Sequence, residues 1–236
     1  LIRGPKGTLV TLTVVREDKE DPLVFSVVRT EFEIEVVETE LIEEESQTVG
    51  YVKLSGFPRT AEEELTNALT RLLSQNPAGI ILDLRDNGGG LLDQAVAIAD
   101  LFLPNGIVLH ERSRNGEVDK IFRSETGDLA ENIPLVVLVN GASASASEIV
   151  AGAVKDNGRG ILIGEPTYGK GSVQQIHTLA DKSELRVTIA RWFTPSNLSI
   201  GEDGILPDLE VATPEDLGGA DDEQLQRAIA YILNGE

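Results

Sequence analysis

From Val49 onward the hydrophobic positions switch repeatedly between short unbroken runs and helical spacing. The runs Ile80-Ile81-Leu82-Asp83-Leu84, Leu135-Val136-Val137-Leu138-Val139 and Ile161-Leu162-Ile163 lack polar alternation, as expected of strands buried on both faces. Each empties into small or glycine-rich residues: Asn87 to Gly90, Asn140 to Ser147, and Gly164 to Gly171. Helical patterns lie between them. Leu65, Ala68, Leu69, Leu72 and Leu73 form one apolar face, preceded by Thr60-x-x-Glu63, which fits a capping box. Residues 91–103, Ile149 to Val154 and 222–233 read as further helices. Strands alternating with helices predict an α/β core with crossover connections. In such sheets the loops after the strands gather on one edge, where ligands bind.

The flanking segments differ. Residues 8–15 and 23–28 are β-branched runs around a polar turn and read as a hairpin, too small to be a domain. Glu31 to Ser46 carries eight glutamates. Its first part, to Val36, alternates like an edge strand, and Glu43-Glu44-Glu45 reads as a solvated linker between modules. The acidic run lacks the glycine and spaced oxygen ligands of a calcium loop. Ile107 to His110 reads as a strand and 111–132 as a polar loop. Residues 173–176 and 185–193 read as strands across a turn, and 194–207 as a turn-rich loop. The organisation expected is a remnant at 1–30, an acidic connection at 31–48 and a core at 49–236.

Composition narrows the function. A net charge of −20 argues against nucleic acid and against an anionic membrane surface. The absence of cysteine excludes disulfides and thiol catalysis, and two histidines, His110 and His177, are too few for a multi-histidine metal site. No apolar run approaches the roughly 20 residues of a membrane span. The chain opens without methionine or a signal-like stretch, so any targeting segment is expected to lie outside it.

The stretch Asn140-Gly141-Ala142-Ser143-Ala144-Ser145-Ala146-Ser147-Glu148 leads a buried strand into a helix N-terminus, where unpaired N–H groups and the positive dipole end favour a nucleophilic serine. The same residues fit a capping serine, since Ser145-x-x-Glu148 is a capping box. A serine nucleophile needs a base. His110 and His177 fall on strand positions, and Lys170, between Gly169 and Gly171, can approach a neighbouring loop with no bulk in the way. A neutral lysine is a competent base, and burial favours the neutral form. Gly88-Gly89-Gly90 either closes a tight turn or turns backbone N–H groups toward a phosphate or an oxyanion. Neither phosphate-loop spacing occurs.

Five motifs then appear in one order over residues 84–208: Leu-Arg-Asp-Asn-Gly-Gly-Gly-Leu (84–91), Val-Asn-Gly-Ala-Ser-Ala-Ser-Ala-Ser-Glu-Ile (139–149), Gly-Glu-Pro-Thr-Tyr-Gly-Lys-Gly-Ser-Val-Gln (164–174), Phe-Thr-Pro-Ser (193–196) and Asp-Gly-Ile-Leu-Pro-Asp (203–208). In these the chain resembles the C-terminal processing, or tail-specific, proteases, serine peptidases with a Ser–Lys dyad. The resemblance implies a crotonase/Clp-like α/β protease core with the tail of a PDZ domain before it. It makes Ser145 the nucleophile, Lys170 the general base and Gln174 the residue that orients the lysine. If one strand ran through both, positions 170 and 174 would face the same side. The implied oxyanion hole is the N–H of Ala146 with one from the glycine turn, Gly89 preferred to Gly90. It implies no metal or cofactor, protein or peptide substrates held by their C-terminal region, and a site outside the cytoplasm. A homo-oligomer is left open. Arg3-Gly4-Pro5-Lys6-Gly7 and the hairpin resemble the close of the PDZ module, whose carboxylate-binding loop would lie before Leu1. Asn197 stands where the family usually has glycine. Two rivals remain at this point: a crotonase-type acyl-thioester enzyme, and a non-catalytic peptide-binding scaffold in which Ser145 is only a cap.

Overall fold

A computed structural model describes the chain except residues 1, 17, 18, 20, 32–34, 45, 114–118, 128, 202, 220 and 236. It divides into two units, Leu1–Glu35 and Val36–Glu236. The first contains β1 (Leu9–Val14) and β2 (Leu23–Val28), an antiparallel hairpin with Leu9 opposite Val28. Residues 17, 18 and 20 of the connecting turn lie outside the described residues.

The second unit is built on a six-stranded sheet. Its strands are β3 (Val37–Glu44), β4 (Gln47–Leu54), β5 (Ile80–Asp83), β8 (Leu135–Val139), β9 (Ile161–Gly164) and β12 (Leu209–Glu210), in the order β12-β9-β8-β5-β4-β3. All neighbours are parallel except β3 and β4. Every residue of β5 and β8 is buried, and their side chains divide by alternation between the two faces. Ile80, Leu82, Val137 and Val139 join one core with α1 (Ala61–Leu73), α2 (Leu92–Asp100) and α3 (Ala146–Asp156). Ile81, Val136, Leu138 and Ile163 join a second core, covered by α4 (Glu223–Asn234). Helices on both faces explain why these strands read as unbroken apolar runs. Helix α3 buries nine residues and has no polar face within its first nine positions.

A second sheet is antiparallel. Its strands β6 (Gly106–Ser113), β7 (Asp119–Ser124), β10 (Ser172–Thr178) and β11 (Glu184–Phe193) lie in the order β10-β11-β6-β7.

Several expectations change. Strand β3 incorporates Glu43 and Glu44, read above as linker. Pairing with β4 gives this segment a backbone ladder, with Leu41 and Ile42 half-buried while Glu38 and Glu40 stay exposed. The alternating stretch 32–34 lies outside the described residues. The polar loop expected at 111–132 contains the end of β6 and all of β7, where Phe122 packs on the core and Ile121 is exposed. The Thr60 capping box does not form. Thr60 is itself helical in conformation (φ −94°, ψ −6°) and makes no side-chain cap, while the Glu62 N–H donates to Gln94 Oε1 of α2 at 3.0 Å. Asn197 sits at φ +70°, a left-handed position that asparagine tolerates better than most residues, which accounts for its exchange with glycine.

Candidate active site

Because β9, β8 and β5 are parallel neighbours, the loops that follow them emerge on one edge of the sheet. The loops after β5 and β8 are joined by a dense set of hydrogen bonds. Asn140 and Asp86 bond reciprocally: Asp86 N–H donates to Asn140 Oδ1 at 3.0 Å, and Asn140 Nδ2 donates to Asp86 Oδ1 at 2.9 Å. The buried Asn87 uses its carbonyl to accept Ala144 N–H at 3.0 Å and Ser147 Oγ at 2.8 Å. Its side chain donates to Leu54 O at 2.7 Å and accepts Gly89 N–H at 2.9 Å.

These bonds separate the three serines of the motif. Ser143 is buried, donates to Leu84 O at 2.8 Å and accepts the Asn140 N–H at 3.0 Å. Ser147 is buried on Asn87 O. Both serve to tie loops together. Ser145 is half-buried, at φ +57° and ψ −111°, a backbone conformation that side chains avoid and that costs about 1–3 kcal/mol. Such strain persists only where the surroundings fix it. Here Glu148 fixes it by accepting the Ser145 N–H at 2.7 Å.

Glu148 does more than cap α3. Its fully buried carboxylate accepts four donors: Thr167 Oγ1 (2.7 Å) and Gly169 N–H (2.7 Å) on Oε1, Ser145 N–H (2.7 Å) and Lys170 N–H (2.9 Å) on Oε2. One oxygen atom thus holds the backbones of Ser145 and Lys170 together across 25 residues of sequence. Burial of a carboxylate is tolerated when N–H and O–H donors replace water, and the start of α3 adds the positive end of its dipole.

Lys170 is half-buried on the loop after β9. Gln174 lies beyond it in β10, exposed, next to a register shift between Val173 and Gln174. The loop is irregular through Gly171 and β10 begins only at Ser172, so the strand alternation invoked for Lys170 and Gln174 does not run through both. Ala146 is the first residue of α3, where an N–H has no acceptor within the helix. Gly89, at φ +96°, packs directly on the Ser145 turn: a Cβ there would fall 2.8 Å from Ser145 Cβ and 2.9 Å from Ala146 N. Gly90 instead abuts Phe57, whose carbonyl oxygen would lie 2.5 Å from an added Cβ. The Gly89 N–H is directed to Asn87 Oδ1. His177 is exposed on β10 and His110 half-buried on β6. No hydrogen bond joins either to Ser145 among the described residues.

A second buried cluster underlies the glycine loop. Arg85, with no exposed surface, donates from Nε and Nη2 to the Asp83 carboxylate at 2.6–3.0 Å, and from Nη1 to Asp222 Oδ1 at 2.9 Å and Gln224 Oε1 at 3.0 Å. Burial alone would lower the guanidinium pKa, but Asp83 and Asp222 outweigh it and push it up. Tyr51 donates to Asp83 Oδ2 at 2.7 Å, and burial followed by the Asp83 charge raises its pKa well above the usual phenol value. Asp222 also caps α4 by accepting Leu225 N–H at 3.0 Å. The sequence places Arg85 in a motif but carries no sign of its partner 137 residues on; Glu148 is visible there only as a cap, and Asn87 and Thr167 only as motif letters. Among the described residues no group of acidic or histidine side chains could hold a metal ion, and no helix is long and apolar enough to cross a membrane.

Residues 48–211 match the model of peptidase family S41. The carboxyl-terminal-processing protease of Synechocystis is 38% identical over 239 residues, covering 99% of this chain and 56% of that protein. The carboxy-terminal-processing protease of Bartonella bacilliformis is 41% identical over 217 residues, 90% of this chain and 49% of that protein. The chain thus spans about half the length of the curated relatives it matches. The solved structure of a photosystem II D1 C-terminal processing protease superposes with a TM-score of 0.71 at 31% identity, covering 92% of this chain and 59% of that one. A putative S41 protease from Bacteroides fragilis shares the fold, with a TM-score of 0.74 at 19% identity.

Proposed function

Because the chain belongs to peptidase family S41, we propose that it is the catalytic part of a serine endopeptidase that cleaves near the C-terminal tails of proteins. Ser145 Oγ attacks the scissile carbonyl as the neutral Lys170 amine takes its proton. The tetrahedral oxyanion rests on the Ala146 N–H and on the Gly89 N–H, which exchanges its Asn87 acceptor for the substrate. Collapse expels the amine with the proton from Lys170, and water then resolves the acyl-enzyme. Gln174, on β10, orients the lysine. One observation carries this reading: Glu148 Oε2 accepts both the Ser145 and the Lys170 N–H. Two residues chosen by motif alone would have no reason to share an atom unless the fold served to bring them together.

On the same reading, the hairpin of the first unit is the end of a PDZ module that receives substrate tails, and the protein works outside the cytoplasm. The names of its relatives, which process carboxyl termini, support the substrate class. The test is cleavage of an unstructured protein substrate by Ser145→Ala and Lys170→Ala variants whose thermal unfolding matches that of the parent. Each should lose turnover by at least about a thousandfold, the scale on which dyad and triad members act. Wild-type turnover in either variant overturns the assignment.

A further inference from the structure

Thr167 stands where two supports of the 165–171 loop meet. It is buried, its hydroxyl lies 2.7 Å from Glu148 Oε1 and 2.7 Å from the Ile205 N–H, and its own N–H donates to the Ile205 carbonyl at 3.1 Å. The direction of these bonds is fixed by chemistry. A hydroxyl has one proton, and Ile205 N–H can only donate, so the Thr167 proton points to the carboxylate. Gly204 permits the approach: it lies at φ +64°, and a Cβ there would fall 2.1 Å from the Thr167 carbonyl oxygen. The turn that carries Ile205 is itself anchored, since Asp208 accepts Leu162 N–H at 2.8 Å and pairs with Lys155 at 2.8 Å.

The consequence falls on Glu148. Without the hydroxyl, Oε1 keeps only Gly169 N–H, and the carboxylate can turn about its terminal torsion, which has a broad and shallow preference. Oε2 then leaves the position from which it reaches both Ser145 N–H and Lys170 N–H.

We propose that Thr167 is a positioning residue for the Ser145–Lys170 pair: its hydroxyl, oriented by the Ile205 N–H, fixes the plane of the Glu148 carboxylate so that one oxygen holds both backbones. This rests on the dyad reading given above. It also assigns work to the Asp-Gly-Ile-Leu-Pro-Asp turn (203–208), whose Ile205 bonds to Thr167.

The experiment compares Thr167→Val, close to the same shape without the hydroxyl, with Thr167→Ser, which keeps it. Cleavage of dye-quenched casein is measured over substrate concentration, together with labelling by a fluorophosphonate. Thr167→Val should lower kcat about 10- to 100-fold while KM changes less than about twofold, because misplacement of reacting groups acts on the chemical step. Labelling should slow in parallel, and Thr167→Ser should stay within about threefold of the parent on both measures. Wild-type kcat in Thr167→Val, beside a Ser145→Ala variant that has lost turnover, overturns the positioning role and leaves the dyad standing. Full turnover in Ser145→Ala removes the dyad itself. Equal losses in the valine and serine variants assign Thr167 to packing and overturn the proposal. If Thr167→Val fails to fold, Thr167→Ala against Thr167→Ser decides the matter by the same comparison.

Discussion

Arg85 and Glu148 are both without exposed surface, yet one is held by opposite charge and the other by neutral donors. Arg85 sits between Asp83 and Asp222, with Gln224 completing its donors. Glu148 takes three backbone N–H groups and one hydroxyl, and no cation pairs with it among the described residues. The first cluster joins the base of the glycine loop to the N-cap of the C-terminal helix, far along the chain. The second joins the loops after β8 and β9 at one edge of the sheet. Ion pairing suits the first task, because it tolerates small displacements and penalises separation heavily once water is excluded. Directed hydrogen bonds suit the second, because they fix orientation. The fold is thus closed by charge beneath the site and tuned by geometry within it.

This contrast is broken or sharpened by three substitutions. Arg85→Met should cost the most stability, about 3–5 kcal/mol, because it leaves Asp83 and Asp222 buried without their cation. Equilibrium urea unfolding measures it, and adding Asp222→Asn to that variant should recover part of the loss. A cost below about 1 kcal/mol would mean that the charges are not held as described. Glu148→Gln should cost less, about 1–3 kcal/mol, because an amide turns its NH2 toward groups that are themselves donors. Its effect on turnover should exceed its effect on stability, with kcat down at least about tenfold. If Glu148→Gln unfolded the chain more readily than Arg85→Met, the division of labour would be reversed.

Tyr51→Phe should have the smallest effect, about 1 kcal/mol at neutral pH for the lost bond to Asp83. Its pH dependence is the sharper measure. The Tyr51 phenol holds its proton more tightly in the folded chain than in the unfolded one. The stability this contributes is therefore complete below the unfolded phenol pKa, about 10, and is lost as pH rises above it toward the higher folded value. Removing the phenol should flatten that alkaline decline by up to one proton, seen as a shallower fall in unfolding free energy between about pH 10 and 11. An unchanged slope would show that Asp83 and burial do not act on Tyr51 as the geometry requires.

Much of the core was legible in sequence because it follows from period. Unbroken runs such as Leu135-Val136-Val137-Leu138-Val139 become strands covered on both faces, and the spacing of Leu65, Leu69 and Leu72 becomes the buried stripe of α1. Strand β7 was illegible for the same reason in reverse: with Ile121 exposed and Phe122 turned inward, its alternation is short and polar residues dominate. The acidic strand β3 misled because local charge suggests solvent, while pairing with β4 is decided by a neighbour. Motif order drew attention to Ser145, Lys170 and the glycine turn, and the family match at 48–211 followed from sequence as well.

What sequence alone determined was therefore the alternation of strands and helices, the excluded chemistries, and a short set of candidate residues. Only the tertiary structure showed what the flanking serines do, since Ser143 and Ser147 donate to carbonyls from another strand's loop. Only it turned Glu148 from a helix cap into the atom that joins Ser145 to Lys170, and gave Arg85 a partner at Asp222. The physical reason is common to all three. Periodicity and capping act within a few residues of chain, whereas a buried polar group is satisfied by whatever donor or acceptor the fold brings beside it.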